Sequence, residues 1–358
     1  MGRMQKKTIT GICFAMVLCS LAACEKNEGG TEDVTSLPEV TVTVAPDMEQ
    51  EVTKLPEATL VPEPTKVPEP TPVPTHAPAK NEGVNIPAEY ITRRREASGT
   101  VEYITYKTKD YYGNGEEVIK PAYVYLPFGY DKEKQYNVLY MMHGGGSDEN
   151  EWGIHREYSI SKIALDNLIY FGDIEPLIVV FPNGRTGVDF GKRADDSKAF
   201  KDFGTELRND LIPYIDANYA TYADYNPEGY DLTEARDHRA LGGLSFGAMQ
   251  TINIGLCECL DVMSYFGAFS PANTTYDAAK IAECLEKFEP YEIHYIYEIC
   301  GDWDKGCLSM ASDAFMDLPK LTDKVVNGEN LKMQIVPGGH DKNVWQLGYY
   351  NFLQVVFR

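Results

Sequence analysis

The sequence predicts an α/β fold in which a mainly parallel central sheet lies between two layers of helices, as a three-layer sandwich. Two observations predict it. Short apolar runs typical of buried strands alternate with stretches of helical periodicity between residues 81 and 358. One such run leads into Gly243-Leu244-Ser245-Phe246-Gly247, a G-x-S-x-G sequence typical of a sharp strand-to-helix turn. Residues 81–358 are enough for one domain with a large core.

The predicted elements follow one another along this part of the chain. Alternating or continuous apolar runs indicate strands, and apolar residues three or four positions apart indicate helices. The segment Tyr222 to Asp237 is expected to be a surface loop that borders the cleft. Glu206 and Asp210 lie four residues apart on a helix and fit a solvated or capping face better than a catalytic pair. The strands are expected near Val138–Met142, Leu177–Phe181, Arg239–Leu244, Tyr265–Ser270, Ile293–Cys300 and Lys332–Val336, and the helices near Ser159–Tyr170, Thr205–Asn218, Met249–Leu260, Met310–Asn327 and Val344–Val356.

Ser245 is the candidate nucleophile. Glycines two positions on either side of it let a strand and the following helix pass closely where a Cβ would clash. A helix that begins just after Ser245 also directs its N-terminal amides to the space where an oxyanion would form. This arrangement indicates hydrolysis through an acyl-enzyme.

A serine nucleophile needs a base, and the chain has six histidines. His340 is the best candidate, because it follows an apolar strand on the glycine-rich loop Pro337-Gly338-Gly339 near the C-terminus, and a triad histidine occupies such a loop. The others fit different roles: His76 lies in a proline-rich tract, His143 shapes a loop, His155 has no distinguishing surroundings, His238 lies on the wrong side of the turn, and His294 belongs to a strand.

The acid should follow the penultimate strand, between Ser245 and His340 in the chain. Asp302 and Asp304 both meet that condition. The amide of Phe246 would supply one oxyanion donor, and a second is expected from the glycine loop His143-Gly144-Gly145-Gly146, which follows a predicted strand.

From about Tyr103 to Arg358 the chain resembles carbohydrate esterase family 1, and more distantly esterase D, both of which have the α/β-hydrolase fold. The resemblance implies that Ser245 is the nucleophile, His340 the base and Asp304 the acid, since the family pattern is C-G-x-x-D. It also assigns the oxyanion donors to Phe246 and Gly145. The chain has Phe246-Gly247-Ala248 where many members have M-G-G, which affects the pocket rather than the backbone donor. The matching blocks are Lys120 to Pro127, His143 to Trp152, Phe181 to Gly184, Phe203 to Tyr219, His238 to Gly247, Cys300 to Asp304, and Gly338 to Trp345, the last as G-G-H-D-x-x-V-W.

The same resemblance implies a serine carboxylesterase that removes acyl groups from plant cell-wall polysaccharide such as xylan. The expected acyl group is feruloyl. An acetylxylan esterase is the alternative within the family, and a siderophore esterase or a peptidase would use the same machinery with another pocket. A non-enzymatic polysaccharide-binding module would not need the triad. The chemistry needs no metal and no organic cofactor, no motif has metal-ligand spacing, and a monomer is expected.

The N-terminus predicts export. Arg3, Lys6 and Lys7 precede an apolar stretch, and Leu21-Ala22-Ala23-Cys24 resembles a bacterial lipobox, so residues 1–24 are expected to be a lipoprotein signal and Cys24 the lipidated residue. A plain secretory signal is the alternative, and the apolar stretch is short for a membrane span. The protein is therefore expected on the bacterial cell surface, held to the membrane only by its lipid.

Residues 25–80 contain ten of the 21 prolines and predict an extended stalk rather than a domain, which leaves 81–358 as the esterase domain. The formal net charge of −21 disfavours binding to nucleic acid or to an anionic membrane. Of the eight cysteines, Cys13 and Cys19 lie in the signal, Cys24 is the predicted lipidated residue, and five lie in the predicted domain. We expect these five to be buried thiols, with a Cys300–Cys307 disulfide as the alternative; the other three are Cys257, Cys259 and Cys284.

Overall fold

A computed structural model of the protein describes residues 83–191, 196–309 and 313–358. The predicted signal, Cys24 and the whole of the predicted stalk lie outside these residues. At the start of the described chain, the carbonyl of Gly83 accepts hydrogen bonds from Gln334 Nε2 at 3.1 Å and from Asn351 Nδ2 at 3.0 Å. These side chains fix the point at which the chain joins the domain.

Eight strands form one sheet in the order β1-β2-β4-β3-β5-β6-β7-β8. Strands β3 to β8 are parallel, whereas β2 pairs antiparallel with both β1 and β4. The predicted mainly parallel sheet is therefore confirmed. The strands are β1 Thr100–Lys109, β2 Glu117–Leu126, β3 Asn137–Met142, β4 Leu177–Pro182, β5 Arg239–Leu244, β6 Tyr265–Phe269, β7 Tyr295–Gly301 and β8 Leu331–Val336.

Helices cover both faces of the sheet and bury two apolar clusters. One face packs against α1 and α9, and the other against the helices between α3 and α8. The helices are α1 Ile160–Tyr170, α2 Asp196–Lys201, α3 Phe203–Glu206, α4 Ile212–Asn218, α5 Phe246–Gln250, α6 Ala278–Glu286, α7 Lys305–Cys307, α8 Asp313–Asp317 and α9 Lys342–Leu353, with π-helical turns at Leu207–Leu211 and Thr251–Leu256 and 3-10 turns at Ala88–Ile91, Arg236–His238 and Leu318–Lys320.

Three predictions about elements need correction. The helix expected at Met310–Asn327 is α8 and one 3-10 turn that contains Pro319, which cannot donate the bond that a longer helix needs; residues 310–312 lie outside the described chain. Strands β1 and β2 were not predicted. The loop Tyr222 to Asp237 does not border the cleft. It precedes β5, whereas Ser245 follows β5, so the two lie at opposite ends of the parallel strands.

Glu206 is not on a solvated face. Its side chain is fully buried, lies 2.6 Å from Lys120 Nζ, and accepts a 2.6 Å hydrogen bond from the hydroxyl of Tyr106. A buried carboxylate requires such partners. Asp210 accepts hydrogen bonds from Thr108 and Tyr111, so both acids fasten the α3–α4 region to the edge of the sheet.

The cysteines divide into two groups. Cys300 and Cys307 form a disulfide, so the expectation of a buried thiol is wrong for these two residues. Cys257, Cys259 and Cys284 are buried free thiols, as predicted. Within the described ranges, no helix has both the length and the apolar character needed to cross a membrane.

Candidate active site

The turn at Ser245 has the strained geometry that its sequence predicts. Ser245 follows the last residue of β5 and precedes the first residue of α5, with φ 55° and ψ −114°. A positive φ is unfavourable for a residue with a Cβ and is found where the surroundings enforce it. A Cβ on Gly243 would lie 2.6 Å from the carbonyl carbon of Gly247, and one on Gly247 would lie 2.6 Å from the carbonyl oxygen of His143. Both flanking glycines are therefore required by close backbone approach.

Ser245, His340 and Asp304 form one chain of hydrogen bonds. His340 Nε2 lies 3.0 Å from Ser245 Oγ, and His340 Nδ1 lies 2.7 Å from Asp304 Oδ2. Because a carboxylate accepts the bond, Nδ1 carries the proton and Nε2 presents its lone pair to the serine hydroxyl. Asp304 is nearly buried and His340 is partly exposed, so the imidazole is accessible from the cleft. The geometry is that of a nucleophile, a base and an orienting acid.

Asp304 has two separate contacts. Its Oδ1 accepts a hydrogen bond from the N–H of Cys307 at 3.2 Å and so caps α7, which leaves Oδ2 for His340. Cys307 is in turn linked to Cys300, the penultimate residue of β7. The disulfide therefore closes the loop that carries the acid.

Asp302, the other candidate acid, contacts the backbone of the loop 337–341 that carries His340, here called the histidine loop. Its Oδ1 accepts a hydrogen bond from the N–H of Gly338 at 3.0 Å, and the N–H of Trp303 donates to the carbonyl of Gly338 at 2.9 Å. A Cβ on Gly301 would lie 2.3 Å from that same carbonyl oxygen. The two loops are thus in direct backbone contact, and Asp302 is one of their links.

The residue after His340 anchors the histidine loop to α9. Asp341 caps that helix by accepting from the N–H of Asn343 at 2.9 Å, and it accepts from the N–H of Gly339 at 2.9 Å. These backbone hydrogen bonds, with that of Gly339 contributing most, hold the pKa of Asp341 below its usual value. Trp345, one turn into α9, packs edge-on against the His340 ring with centroids 5.2 Å apart. The run Gly339-His340-Asp341 is therefore fixed from both ends.

The glycine loop after β3 lies beside the nucleophile. A Cβ on Gly144 would be 3.3 Å from the Cβ of Ser245, so a larger residue there would crowd the nucleophile. Phe246 begins α5, where the backbone N–H groups have no partner within the helix. The structure thus brings together the two segments from which Gly145 and Phe246 were predicted to donate, and their role as oxyanion donors remains a prediction.

A cavity of about 420 Å³ is lined by neighbours of the triad residues and not by Ser245, His340 or Asp304 themselves. Leu244, which precedes the serine, and Trp345, which packs against His340, are among its lining residues. Trp152 also reaches it, but this side chain is buried and donates to the carbonyl of Met142, whereas Trp303 is 80% exposed on the acid loop. Three polar or aromatic lining residues, Arg156, Tyr158 and Lys342, carried no signal in the sequence.

One cluster of metal-ligating side chains occurs among the described residues: Glu298, Cys300 and Cys307. The two sulfurs form the disulfide and so are not available as thiolate ligands. This group does not fit a resident metal, and no step of the chemistry is assigned to one.

The chain matches a known family and several known proteins. Residues 120–347 match the family model described as "Putative esterase". The chain is 36% identical over 174 residues to endo-1,4-beta-xylanase Y of Acetivibrio thermocellus, covering 47% of this chain and 15% of that protein. It is 31% identical over 229 residues to an endo-1,4-beta-xylanase/feruloyl esterase of Xylanibacter ruminicola, covering 62% of this chain and 28% of that protein. The chain thus spans less than a third of the curated relatives that it matches.

Solved structures agree with this match. The feruloyl esterase module of Clostridium thermocellum, determined as a mutant complexed with sinapinate, has a TM-score of 0.63 and 25% identity, covering 80% of this chain and 96% of that one. The CE1 ferulic acid esterase of Anaeromyces mucronatus, with 24% identity and a TM-score of 0.61 over 77% of this chain and 98% of that one, shares the fold. The α/β-hydrolase fold is therefore confirmed, and the protein belongs to the esterase family whose model spans residues 120–347.

Proposed function

We propose that the protein is a serine carboxylesterase that removes feruloyl groups from plant cell-wall polysaccharide such as xylan. The observation that carries the proposal is the continuous hydrogen-bonded chain from Ser245 Oγ through His340 to Asp304, at 3.0 and 2.7 Å, in a member of an esterase family. Relatives named xylanase/feruloyl esterase and a feruloyl esterase module of similar fold support the choice of substrate.

In the proposed mechanism, His340 removes the proton of Ser245 as Oγ attacks the ester carbonyl. Asp304 keeps the imidazole in the tautomer with a free Nε2 and stabilises the imidazolium that forms. The amides of Phe246 and Gly145 hold the negative oxygen of the tetrahedral intermediate. The imidazolium then gives its proton to the leaving alcohol, and water repeats the sequence on the acyl-enzyme.

The cavity lined by Leu244 and Trp345 supports an aromatic acyl group. Its volume of about 420 Å³ lies within the usual range of small-molecule pockets, about 300–1,000 Å³, and is far larger than an acetyl methyl requires. Trp345 supplies an apolar wall, and Arg156, Tyr158 and Lys342 supply hydrogen-bond donors at the rim. Such a lining suits a ring that carries oxygen substituents.

The test is hydrolysis of methyl ferulate, 4-nitrophenyl acetate and acetylated xylan by the full chain, with Ser245→Ala as the control. Ferulate release that the variant loses supports the proposal. Acetate release alone would reassign the protein to the acetylxylan esterases. No turnover by the wild-type protein, together with binding to xylan, would favour a polysaccharide-binding module.

We also propose that residues 1–24 direct export, that Cys24 carries a lipid, and that residues 25–80 form a stalk for the esterase domain at 81–358. The lipobox-like Leu21-Ala22-Ala23-Cys24 and the proline content support this organisation. Expression in a bacterium with labelled palmitate should label the wild-type protein but not Cys24→Ser. Equal labelling of both would contradict the proposal.

A further inference from the structure

We propose that His143 is a positioning residue that holds the Gly144–Gly145 peptide so that the N–H of Gly145 faces the nucleophile. The inference rests on the proposed function, in which Gly145 is an oxyanion donor. It assigns a specific task to the histidine of the His143-Gly144-Gly145-Gly146 loop, whose ring does not contact Ser245 or His340 through any of its hydrogen bonds.

The hydrogen bonds of His143 define its tautomer. The backbone N–H of Gly184 lies 3.1 Å from His143 Nε2, and the carbonyl oxygen of Gly144 lies 2.9 Å from Nδ1. An amide N–H can only donate, so Nε2 is the unprotonated acceptor. The proton is therefore on Nδ1, which donates to the carbonyl of Gly144. With both nitrogens bound to backbone, the ring is not available as a second general base.

Peptide geometry links this hydrogen bond to the site. The carbonyl of Gly144 and the N–H of Gly145 belong to the same planar trans peptide and point in opposite directions. The N–H of Ser147 also donates to the Gly144 carbonyl, at 3.3 Å. Two donors therefore hold the carbonyl on one side, which turns the N–H of Gly145 to the other. A flipped peptide would present an oxygen where the donor is required.

Glycine makes this peptide easy to misplace. Gly144 and Gly145 have no side chains to restrict rotation, and Gly146 has φ +73°. A Cβ on Gly144 would lie 2.6 Å from Leu244 Cδ1 and 3.3 Å from the Cβ of Ser245, so a larger residue there would displace the Leu244 side chain and crowd the nucleophile. Because the close approach of Gly144 to Ser245 favours glycine, the orientation of this peptide is fixed by its hydrogen-bond partners and not by side chains of its own.

The surroundings of His143 keep it rigid. The imidazole is 1% exposed and meets the Phe200 ring edge-on at 5.1 Å between centroids. Its partner Gly184 is held by Gln250, whose Nε2 donates to the Gly184 carbonyl at 2.8 Å. A Cβ on Gly184 would lie 2.7 Å from Met142 Cε and 3.0 Å from Gln250 Oε1, so a larger residue would displace both side chains, including the one that holds Gly184. The run Phe181-Pro182-Asn183-Gly184 thus delivers the N–H that sets the tautomer.

Two substitutions separate the two nitrogens. An asparagine amide reaches about as far as Nδ1 and can still donate to Gly144, whereas a glutamine amide reaches about as far as Nε2 and keeps only the contact with Gly184. His143→Gln is expected to lower kcat on methyl ferulate about 10- to 100-fold with KM changed less than about 3-fold, below the 10²–10³ of a donor removed outright. His143→Asn is expected to retain kcat within about 5-fold.

A second readout reports on the oxyanion itself. Ser245 adds to the carbonyl of a trifluoromethyl ketone analogue of the ester and forms a tetrahedral oxyanion. The product ferulate binds without forming one. In His143→Gln the affinity for the ketone should fall by the same factor as kcat, while the affinity for ferulate is unchanged. Equal losses of kcat in His143→Gln and His143→Asn, or an effect confined to KM, would overturn the inference.

A measurement on the wild-type protein covers variants that fail to fold. Nitrogen-15 spectra of the His143 ring should show a protonated Nδ1 and an unprotonated Nε2 at pH 7, and a protonated Nε2 would overturn the inference. A wild-type protein that hydrolyses no ester would remove both this inference and the proposed function. An active wild type with an equally active His143→Gln would remove only the inference.

Discussion

Asp302 accepts a hydrogen bond from the N–H of Gly338 at 3.0 Å, and through it the acid loop is joined to the loop that carries His340. Two residues further along, Asp304 contacts the imidazole itself at 2.7 Å. Two aspartates that the sequence could not separate by position therefore have different tasks. One holds the loops together, and the other orients the base.

The first prediction distinguishes these tasks. Asp304→Asn should lower kcat on methyl ferulate by about 10³–10⁴, because an amide in place of the carboxylate favours the wrong tautomer of His340 and no longer stabilises the imidazolium. Asp302→Asn keeps an oxygen that can accept from Gly338 and should lower kcat less than about 10-fold. Steady-state kinetics of the two variants provides the measurement. A greater loss in Asp302→Asn would reverse the assignment.

The second prediction concerns the disulfide. Reduction of Cys300–Cys307 should destabilise the protein by about 2 kcal/mol, because the crosslink closes a short loop in the unfolded chain. The same loop carries Asp304, so kcat should fall as well. Thermal unfolding and methyl ferulate hydrolysis are measured with and without dithiothreitol. The double variant Cys300→Ser/Cys307→Ser is the control, and its stability and kcat should not change with the reductant. If dithiothreitol affected the double variant as much as the wild type, the effect would not come from this disulfide.

The third prediction concerns stability in acid. Burial lowers the pKa of His143 to about 4; Arg185 and Lys120 add to this effect, whereas the Gly144 carbonyl and Asp148 oppose it. In the unfolded chain the imidazole takes up a proton below about pH 6.5. The stability that this site contributes is therefore complete above pH 6.5 and is lost as the pH falls towards 4, by about 3 kcal/mol in total.

Urea unfolding at pH 7.5 and pH 4.5 measures this loss. The wild-type protein should lose about 2–3 kcal/mol more of its unfolding free energy between the two pH values than His143→Asn does. All other titrating groups are common to the two proteins and cancel in the comparison. Equal losses would show that His143 titrates normally in the folded state.

The fourth prediction tests the cavity as the acyl site. Trp345→Ala should lower kcat/KM for methyl ferulate about 10- to 100-fold, because it removes a wall of the cavity and an edge-on contact with His340, worth about 1–3 kcal/mol together. The loss for 4-nitrophenyl acetate should be smaller, since acetate does not fill the cavity. Trp303→Ala is the matched control, because this exposed side chain does not line the cavity. Equal losses for both esters would mean that Trp345 supports only the triad.

The sequence was informative where function demands particular residues at particular intervals. Ser245 between two glycines, His340 in a glycine loop, and acids after the penultimate strand follow a fixed order in the chain, and the structure brings Ser245, His340 and Asp304 into contact. The parallel strands β3 to β8 were also predictable, because strands buried on both faces are continuous apolar runs.

The missed features depend on contacts between distant segments. Strand β1 lies at the edge of the sheet with most side chains exposed, and β2 contains Pro121, so neither shows the pattern of a buried strand. Glu206 is a charged residue that the sequence alone places at the surface. Its burial depends on the ion pair with Lys120 from β2. The rim of the cavity, including Arg156 and Tyr158, comes from an irregular connection with no periodicity to interpret.

The two hydrogen bonds that hold Gly83, from Gln334 and Asn351, have a consequence for access to the cleft. Asn351 belongs to the last turn of α9, and that helix begins just after His340, so about 13 Å of helix separate Asn351 from the end of the loop that carries His340. Gln334, the other partner of Gly83, is the fourth of the six residues of β8, so Gly83 lies beside the body of the sheet and not on the loops that carry the triad. Attachment of the enzyme to a bead at Gly83 should therefore leave the triad loops uncovered and free to meet an insoluble polymer.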